Sequence, residues 1–154
     1  MKRYSGTYAL ILRPQIAQII CVGRLGEMMV QPGWMVYVGS DFGPGGVKGR
    51  VGHHLRPHPK PHWHIDYLRQ VAPLVEVWYS HDPIRHEHTW ASLFHHLPDA
   101  TIPLPRFGAS DCTCPAHLFY FPTAPAFTTF QRQWQKLKPG AAAVLQLLPP
   151  HASF

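Results

Sequence analysis

The stretch Tyr37-Val38-Gly39-Ser40, continued from Asp41 to Leu55 as DFGPGGVKGRVGHHL, combines residue types suited to gripping a phosphate. A β-prone run ends there in a glycine loop, and a short basic helix is expected from Val47 to Leu55. Gly39, Gly43, Gly45 and Gly46 let the backbone turn tightly and approach a ligand closely. Arg50 and His54 stand four residues apart, so a helix places both on one face. On the preceding strand Val36 and Val38 point one way and Tyr37 the other. The chemistry on offer is anion binding beside a phenol and an imidazole, although glycine loops also open helices for structural reasons alone.

Two further clusters carry chemistry. Between Arg50 and His64 the chain gathers Arg50, Arg56, Lys60 and the histidines 53, 54, 58, 62 and 64. Lys48, Arg56, Lys60, His62, Trp63 and His64 are the candidates for nucleic-acid contact. Phosphate contacts of this kind set affinity and salt dependence without reading sequence, and an exposed Trp63 or His62 can stack on a base. The structural alternatives are a solvated basic loop and a Trp63 that anchors a helix in the core with Tyr67 and Leu68. His62 and His64 are also conceivable metal ligands with Asp66, but an i, i+2 pair does not share a helix face. Farther on, Cys112, Cys114 and His117 place three soft ligands within six residues. Zinc needs a fourth, for which His62, His64 or Asp111 are candidates after folding. Otherwise Ser110-Asp111 makes a turn or a helix cap and the cysteines are partly buried thiols. A disulfide at that spacing would be strained. His81, His86, His88, His95 and His96 read as scattered surface or helix-face residues.

The elements that must position these residues follow from pattern. Thr7–Arg13, Gln18–Val22 and Trp34–Gly39 are β-prone and separated by turns at Pro14, Gly23–Gly26 and Pro32-Gly33, which suggests an antiparallel meander. Glu27–Val30 is a weaker strand signal. Helices are expected at 47–55, from His62 to Val71, from Ile84 to Leu97 with Pro83 in the first turn, and from Ala126 to Lys138. Leu74–Tyr79 and Leu118–Phe121 are strands by composition. Trp34, Trp78, Trp90 and Trp134 are expected to fill the core. Strands first and helices after argue for an α+β layered domain. A single domain over residues 1–138 is expected, followed by a proline-broken tail at 139–154 with Pro149–Phe154 frayed.

At 154 residues the chain can bury one core. Its net charge of +6, before any of the 12 histidines takes a proton, favours a polyanionic partner. No run of apolar residues is long enough to span a membrane, and the N-terminus lacks the pattern of a signal peptide. Three cysteines do not make a disulfide framework. A reducing cytoplasm is therefore the expected location.

Several separated motifs together resemble one family. Gly6-Thr7-Tyr8 looks like a Gly-Ile-Tyr motif, Tyr37-Val38-Gly39 like the matching Tyr-Ile-Gly, and Arg50 with His54 like the arginine and histidine of the helix that follows. Glu87 falls where such domains carry a single metal-binding glutamate. This is the GIY-YIG nuclease-like superfamily. Within it the chain resembles a small branch whose members occur alone or attached to DNA-repair glycosylases. The branch markers are Val22–Gly26, Tyr37–Ser40, Gly43–Gly46, Trp63–Leu68 and Phe107–Cys112, with His117-Leu118 after them. The resemblance covers residues 5 to 121.

The resemblance implies a small antiparallel three-stranded central sheet flanked by helices, with a C-terminal strand and helix extension. It implies hydrolysis of a DNA phosphodiester by one divalent ion, Mg²⁺ or Mn²⁺, held by Glu87. Arg50 would hold a phosphate oxygen, Tyr8 would orient or deprotonate the attacking water, Tyr37 would support it, and His54 would position water or phosphate. A phenol is a poor base at neutral pH, so Arg50 and the metal would have to lower the pKa of Tyr8. DNA is the expected partner, with a DNA-repair protein as a possible second. A non-catalytic nucleic-acid-binding module on the same fold and a zinc-binding interaction protein are the alternatives. The chain departs from its relatives in three places. The Gly43–Gly46 insert lengthens the path to Arg50, leaving Lys48 and Arg56 as neighbours able to replace it. His88 follows Glu87 where relatives tend to carry cysteine. Several relatives carry an asparagine after the glutamate, and this chain contains none.

Overall fold

A computed structural model describes residues 1–148; the frayed end expected at Pro149–Phe154 lies outside the described residues. The fold is α+β. Its main sheet has five strands, all antiparallel, in the order β6-β4-β1-β5-β7. These are β1 (Gly6–Leu12), β4 (Trp34–Asp41), β5 (Leu74–Ser80), β6 (Leu118–Phe121) and β7 (Leu145–Leu147). A separate hairpin pairs β2 (Gln18–Val22) with β3 (Gly26–Val30) around a 3-10 turn at Gly23–Leu25. The helices are α1 (Gly46–Leu55), α2 (His64–Arg69), α3 (Glu87–His95) and α4 (Phe127–Leu137).

β1 is the middle strand, and all seven of its residues are buried because the sheet is covered on both faces. The two-residue alternation of a strand divides them. Tyr8, Leu10 and Leu12 join a core with Val47 and Val51 of α1, Ile65 and Leu68 of α2, and Val22, Met28 and Val30 of the hairpin. Ala9 and Ile11 join a second core with Trp90 and Phe94 of α3, Phe130 and Trp134 of α4, and Trp78. Aromatic contacts dominate the second core; the Phe94 and Phe130 rings stack with centroids 4.4 Å apart. Trp34 is only half-buried and holds Arg13 against its ring.

The structure corrects the expected meander. Gln18–Val22 is not in the main sheet, because its partner is the weaker strand signal at 26–30. The position beside β1 is taken by β5, so β4, β1 and β5 are the centre. The expected three-stranded sheet becomes five-stranded as β6 adds to β4 and β7, from the tail, adds to β5. Helices α2 and α3 are shorter than expected. Pro83 precedes α3 by a turn instead of opening it, since Asp82 accepts the Ile84 N–H and holds 82–86 in a loop. No helix among the described residues is long and apolar enough to cross a membrane.

One feature of the sheet creates a notch. β6 pairs with β4 only from Trp34 to Tyr37, while β4 continues to Asp41. Val38 donates its N–H to the His117 carbonyl (2.9 Å), and beyond it the β4 edge facing β6 is open. At that edge side chains from both faces of the sheet can meet.

Candidate active site

A cavity of about 300 Å³ fills the notch. Tyr8, Tyr37, Arg50, His54 and Glu87 all line it, together with Ser40, His62, Trp63, His64 and Asp111. The structure thus brings together the five residues implied as catalytic and metal-binding, along with three of the six nucleic-acid candidates. Lys48, Arg56 and Lys60 are exposed and do not line it.

Register places the phenols. Tyr8 on β1 lies opposite Gly39 on β4, and Tyr37 points to the same face two residues earlier. Gly39 is needed for space: a Cβ there would stand 2.5 Å from the Tyr8 hydroxyl oxygen and 2.6 Å from its ring. Tyr8 is 1% exposed, so a shift of its ring would disturb packed neighbours. Gly39→Ala is therefore expected to cost about 1–3 kcal/mol, read as a lower urea midpoint. An alanine variant as stable as the parent would show that the Tyr8 ring moves freely. Gly108 plays a similar part for Tyr37. It adopts φ +70° and passes close to the ring, where a Cβ would meet Tyr37 Cε1 at 2.9 Å.

Helix α1 carries Arg50 and His54 to the cavity on successive turns. The Tyr8 hydroxyl and His54 Nε2 are 2.9 Å apart. His54 is buried, and its Nδ1 has no hydrogen-bond partner among the described residues. Burial, then the neighbouring His53, pushes the His54 pKa down to about 3, so the ring is neutral and can accept a hydrogen bond from the Tyr8 O–H. Burial, then Tyr37, raises the Tyr8 phenol well above its ordinary value, and Arg50 opposes this without overcoming it. Tyr37 is raised too, by burial first and by Glu87. The lowered Tyr8 pKa required of a phenolate base is therefore not what these side chains produce. Tyr8 remains a phenol whose O–H can point to His54, leaving its oxygen lone pairs toward the cavity.

Arg50 is held on two sides. Its Nη2 is 2.9 Å from Asp41 Oδ2, and its guanidinium lies 4.4 Å from the Trp63 ring centroid. Trp63 is thus half-buried as the platform for Arg50 and for His53, whose ring centroid is 4.6 Å away. Asp66 fixes the approach to α2 by accepting the N–H groups of His62 and Trp63, both at 3.0 Å. His64 Nδ1 accepts the Gly108 N–H (2.9 Å) and ties α2 to the loop before β6. This is a structural duty for a residue expected to touch nucleic acid, although its ring still lines the cavity.

Glu87 opens α3 and reaches the notch from the other face of the sheet. Ser40 donates its hydroxyl to Oε1. Oε2 lies 2.9 Å from the buried His117 Nδ1, a close pair that lacks the angle of a good hydrogen bond. Burial raises the Glu87 carboxyl, but His117 and Ser40 outweigh it and hold the group below its ordinary value, so it is ionised. One ionised carboxylate on an open, polar wall fits a hard divalent cation that keeps most of its waters. Each oxygen retains a lone pair after its present contact.

Sequence reasoning missed Asp41, Ser40 and the reach of His117 to Glu87. Ser40 and Asp41 sit inside the highlighted stretch, and alternation from Tyr37 puts Ser40 on the α3 face. The histidines also separate differently from expectation. His86 is a buried partner of Asp82 (3.0 Å) packed on Trp134. His88 is not scattered, for it lies with Cys112, Cys114 and His117, their ligand atoms all within 4.8 Å of one another. Neither His62, His64 nor Asp111 is in that group. Burial, then the adjacent Cys112, pushes the Cys114 thiol up to about 11.

A family model described as "Domain of unknown function DUF123" matches residues 7–138. No curated protein and no solved structure matches the chain.

Proposed function

We propose, on the premise that the chain belongs to the DUF123 family, that its cavity is the active site of a GIY-YIG-like, divalent-metal-dependent endonuclease that hydrolyses DNA phosphodiester bonds in repair or processing. The observation that carries this reading is the convergence of Tyr8, Tyr37, Arg50, His54 and Glu87 on one notch from four elements. Glu87 would hold Mg²⁺ or Mn²⁺, which supplies charge stabilisation at the scissile phosphate and the leaving oxygen. The rest falls to the chain's own groups. Arg50 has five N–H donors, and Asp41 occupies one edge of its fork, leaving donors for a non-bridging phosphate oxygen. Trp63 fixes the plane of that fork. Tyr8, donating to His54, accepts a hydrogen bond from the attacking water and aligns it. The neutral imidazole accepts the phenol O–H and so holds the Tyr8 oxygen in that orientation. As the water attacks phosphorus, its proton is released to bulk solvent, to which the notch is open, because a buried His54 with a pKa pushed down to about 3 is too weak a base to keep it. Tyr37 closes the wall beside them.

The basic residues Lys48, Arg56 and Lys60 are exposed beyond the cavity and suit contact with the DNA backbone. A reducing cytoplasm is the working compartment that goes with this reading. A DNA-repair protein is a fitting second partner for such an activity. A second reading, a DNA-binding module without catalysis, is favoured by two observations: Arg50 is already paired with Asp41, and the phenols are held protonated.

The experiment is cleavage of supercoiled, nicked and branched DNA with Mg²⁺ or Mn²⁺, comparing the parent with Arg50→Ala. Metal-dependent nicking reduced roughly 10²-fold or more by the substitution is expected. Folded parent protein that binds DNA in a salt-sensitive manner but never cuts would transfer the assignment to the second reading.

A further inference from the structure

We infer that His88, Cys112, Cys114 and His117 form a Cys₂His₂ zinc site, separate from the cavity and adjoining it through Glu87. The four ligand atoms come from two elements distant in sequence: the first turn of α3 and the loop leading into β6. They lie within 4.8 Å of one another. Cys112 Sγ and His117 Nε2 are 3.4 Å apart. A tetrahedron with ordinary zinc–sulfur and zinc–nitrogen bonds separates those atom types by about 3.6 Å, so small rotations of the other two side chains close the set. Two thiolates and two neutral imidazoles are the soft donors zinc takes in structural sites, and oxygen-preferring ions do not. When both thiols give up their protons, the centre is electrically neutral, which suits its half-buried position.

A second observation points to a ligand there. His117 is 1% exposed, and its Nδ1 has no satisfactory hydrogen bond among the described residues, with Glu87 Oε2 at 2.9 Å as its neighbour. A metal on Nε2 leaves the single ring proton on Nδ1, beside that carboxylate, and a small turn of the ring onto the metal would aim it there. Such a carboxylate behind a ligating histidine fixes the ring and its tautomer. His88 is exposed, and His88 and Cys114 border a surface depression of about 290 Å³, which supplies a way in for the ion. The site also pins the loop that carries Gly108 and Asp111 to α3, the helix that carries Glu87, so it would stiffen one wall of the cavity.

The inference stands on these four residues whether or not the cavity cuts DNA, and its test does not use activity. The full chain, purified without added chelator, is analysed for bound metal. About one zinc per chain is expected in the parent. Cys112→Ser/Cys114→Ser should fall to background. His88→Ala, which changes only an exposed ligand and preserves the fold, should surrender zinc to a competing chelator ~10-fold more readily or worse. Protein stripped of metal and titrated with Co²⁺ should develop thiolate-to-metal and tetrahedral ligand-field absorption, both absent from the double variant. Zinc at background in folded parent, with no cobalt spectrum, overturns the site. So does undiminished zinc in His88→Ala and the double variant, which would direct attention to the other close group, His53, His54 and Asp66.

Discussion

Glu87→Gln is expected to lower metal-dependent DNA cleavage by roughly 10²- to 10³-fold while leaving the fold intact. The substitution is close to isosteric. Its amide oxygen still accepts the Ser40 hydroxyl, and its side chain still fills the first turn of α3. What disappears is the full negative charge, which Ser40 and His117 maintain against the cost of burial. A neutral amide is a poor ligand for a hard, strongly hydrated dication, so the loss should appear in the metal dependence of the rate and much less in DNA affinity. The measurement is the rate of plasmid nicking at saturating DNA across a Mn²⁺ titration, with thermal unfolding as the control. A rate within a few-fold of the parent at every metal concentration would remove Glu87 from the chemistry. The zinc content of the same preparations is a second readout. If cleavage is lost while zinc remains bound, Glu87 acts in the cavity and not through the neighbouring centre.

The sequence shows parts of this site more readily than others, for physical reasons. Tyr37, Arg50 and His54 are readable because local periodicity fixes their relation: one strand end, one glycine loop, two successive helical turns. Tyr8 and Glu87 enter through family resemblance, since nothing local ties a residue in β1 to one in α3. The notch itself is not local at all. It exists because β6 stops pairing at Tyr37 while β4 runs on to Asp41, a matter of register between strands about eighty residues apart. The same limit explains the errors. Gln18–Val22 has the composition of a strand, but composition does not specify a partner, and a tight turn gave it Gly26–Val30 in place of β1. Val144 and Leu147 read as a small apolar tail until β5 offers an edge for β7. His88 looks like one surface histidine among several because its companions lie twenty-four residues or more downstream. Arg50's partner Asp41 was within the singled-out stretch, yet only the turn at 42–45 brings carboxylate and guanidinium to 2.9 Å.

His54 gives the largest expected effect of pH on stability. Buried against Tyr8, with Tyr37, Trp63 and His53 around its ring, it has a folded-state pKa of about 3 against an ordinary value near 6.5. The charges that act on it are mixed: His53, Arg50 and Arg69 oppose protonation, and Asp66 favours it less strongly than burial disfavours it. Between these two pKa values the unfolded chain carries a proton on residue 54 that the folded chain refuses. Acid therefore favours unfolding, and the contribution is fully present above about pH 6.5 and lost as pH falls toward about 3. The slope approaches about 1.4 kcal/mol per pH unit inside that window. His53 and His64, both pushed down by burial but far less enclosed, add in the same direction. The lowered carboxyls Asp66, Asp82 and Glu87 act in the same sense, but at lower pH, as they take up protons below the ordinary carboxylate range. Urea unfolding at about pH 5, 6 and 7 separates the windows. His54→Gln keeps a polar group opposite the Tyr8 hydroxyl and removes the titration, so its stability should change less with pH than the parent's by about 1.4 kcal/mol per unit. Other histidines, including those of the zinc site, contribute equally to both proteins and cancel in the comparison. An unchanged slope would mean that the folded protein protonates His54 freely. The imidazole opposite Tyr8 would then carry a proton on both nitrogens, able to donate to a phosphate oxygen and unable to accept the phenol's hydrogen bond.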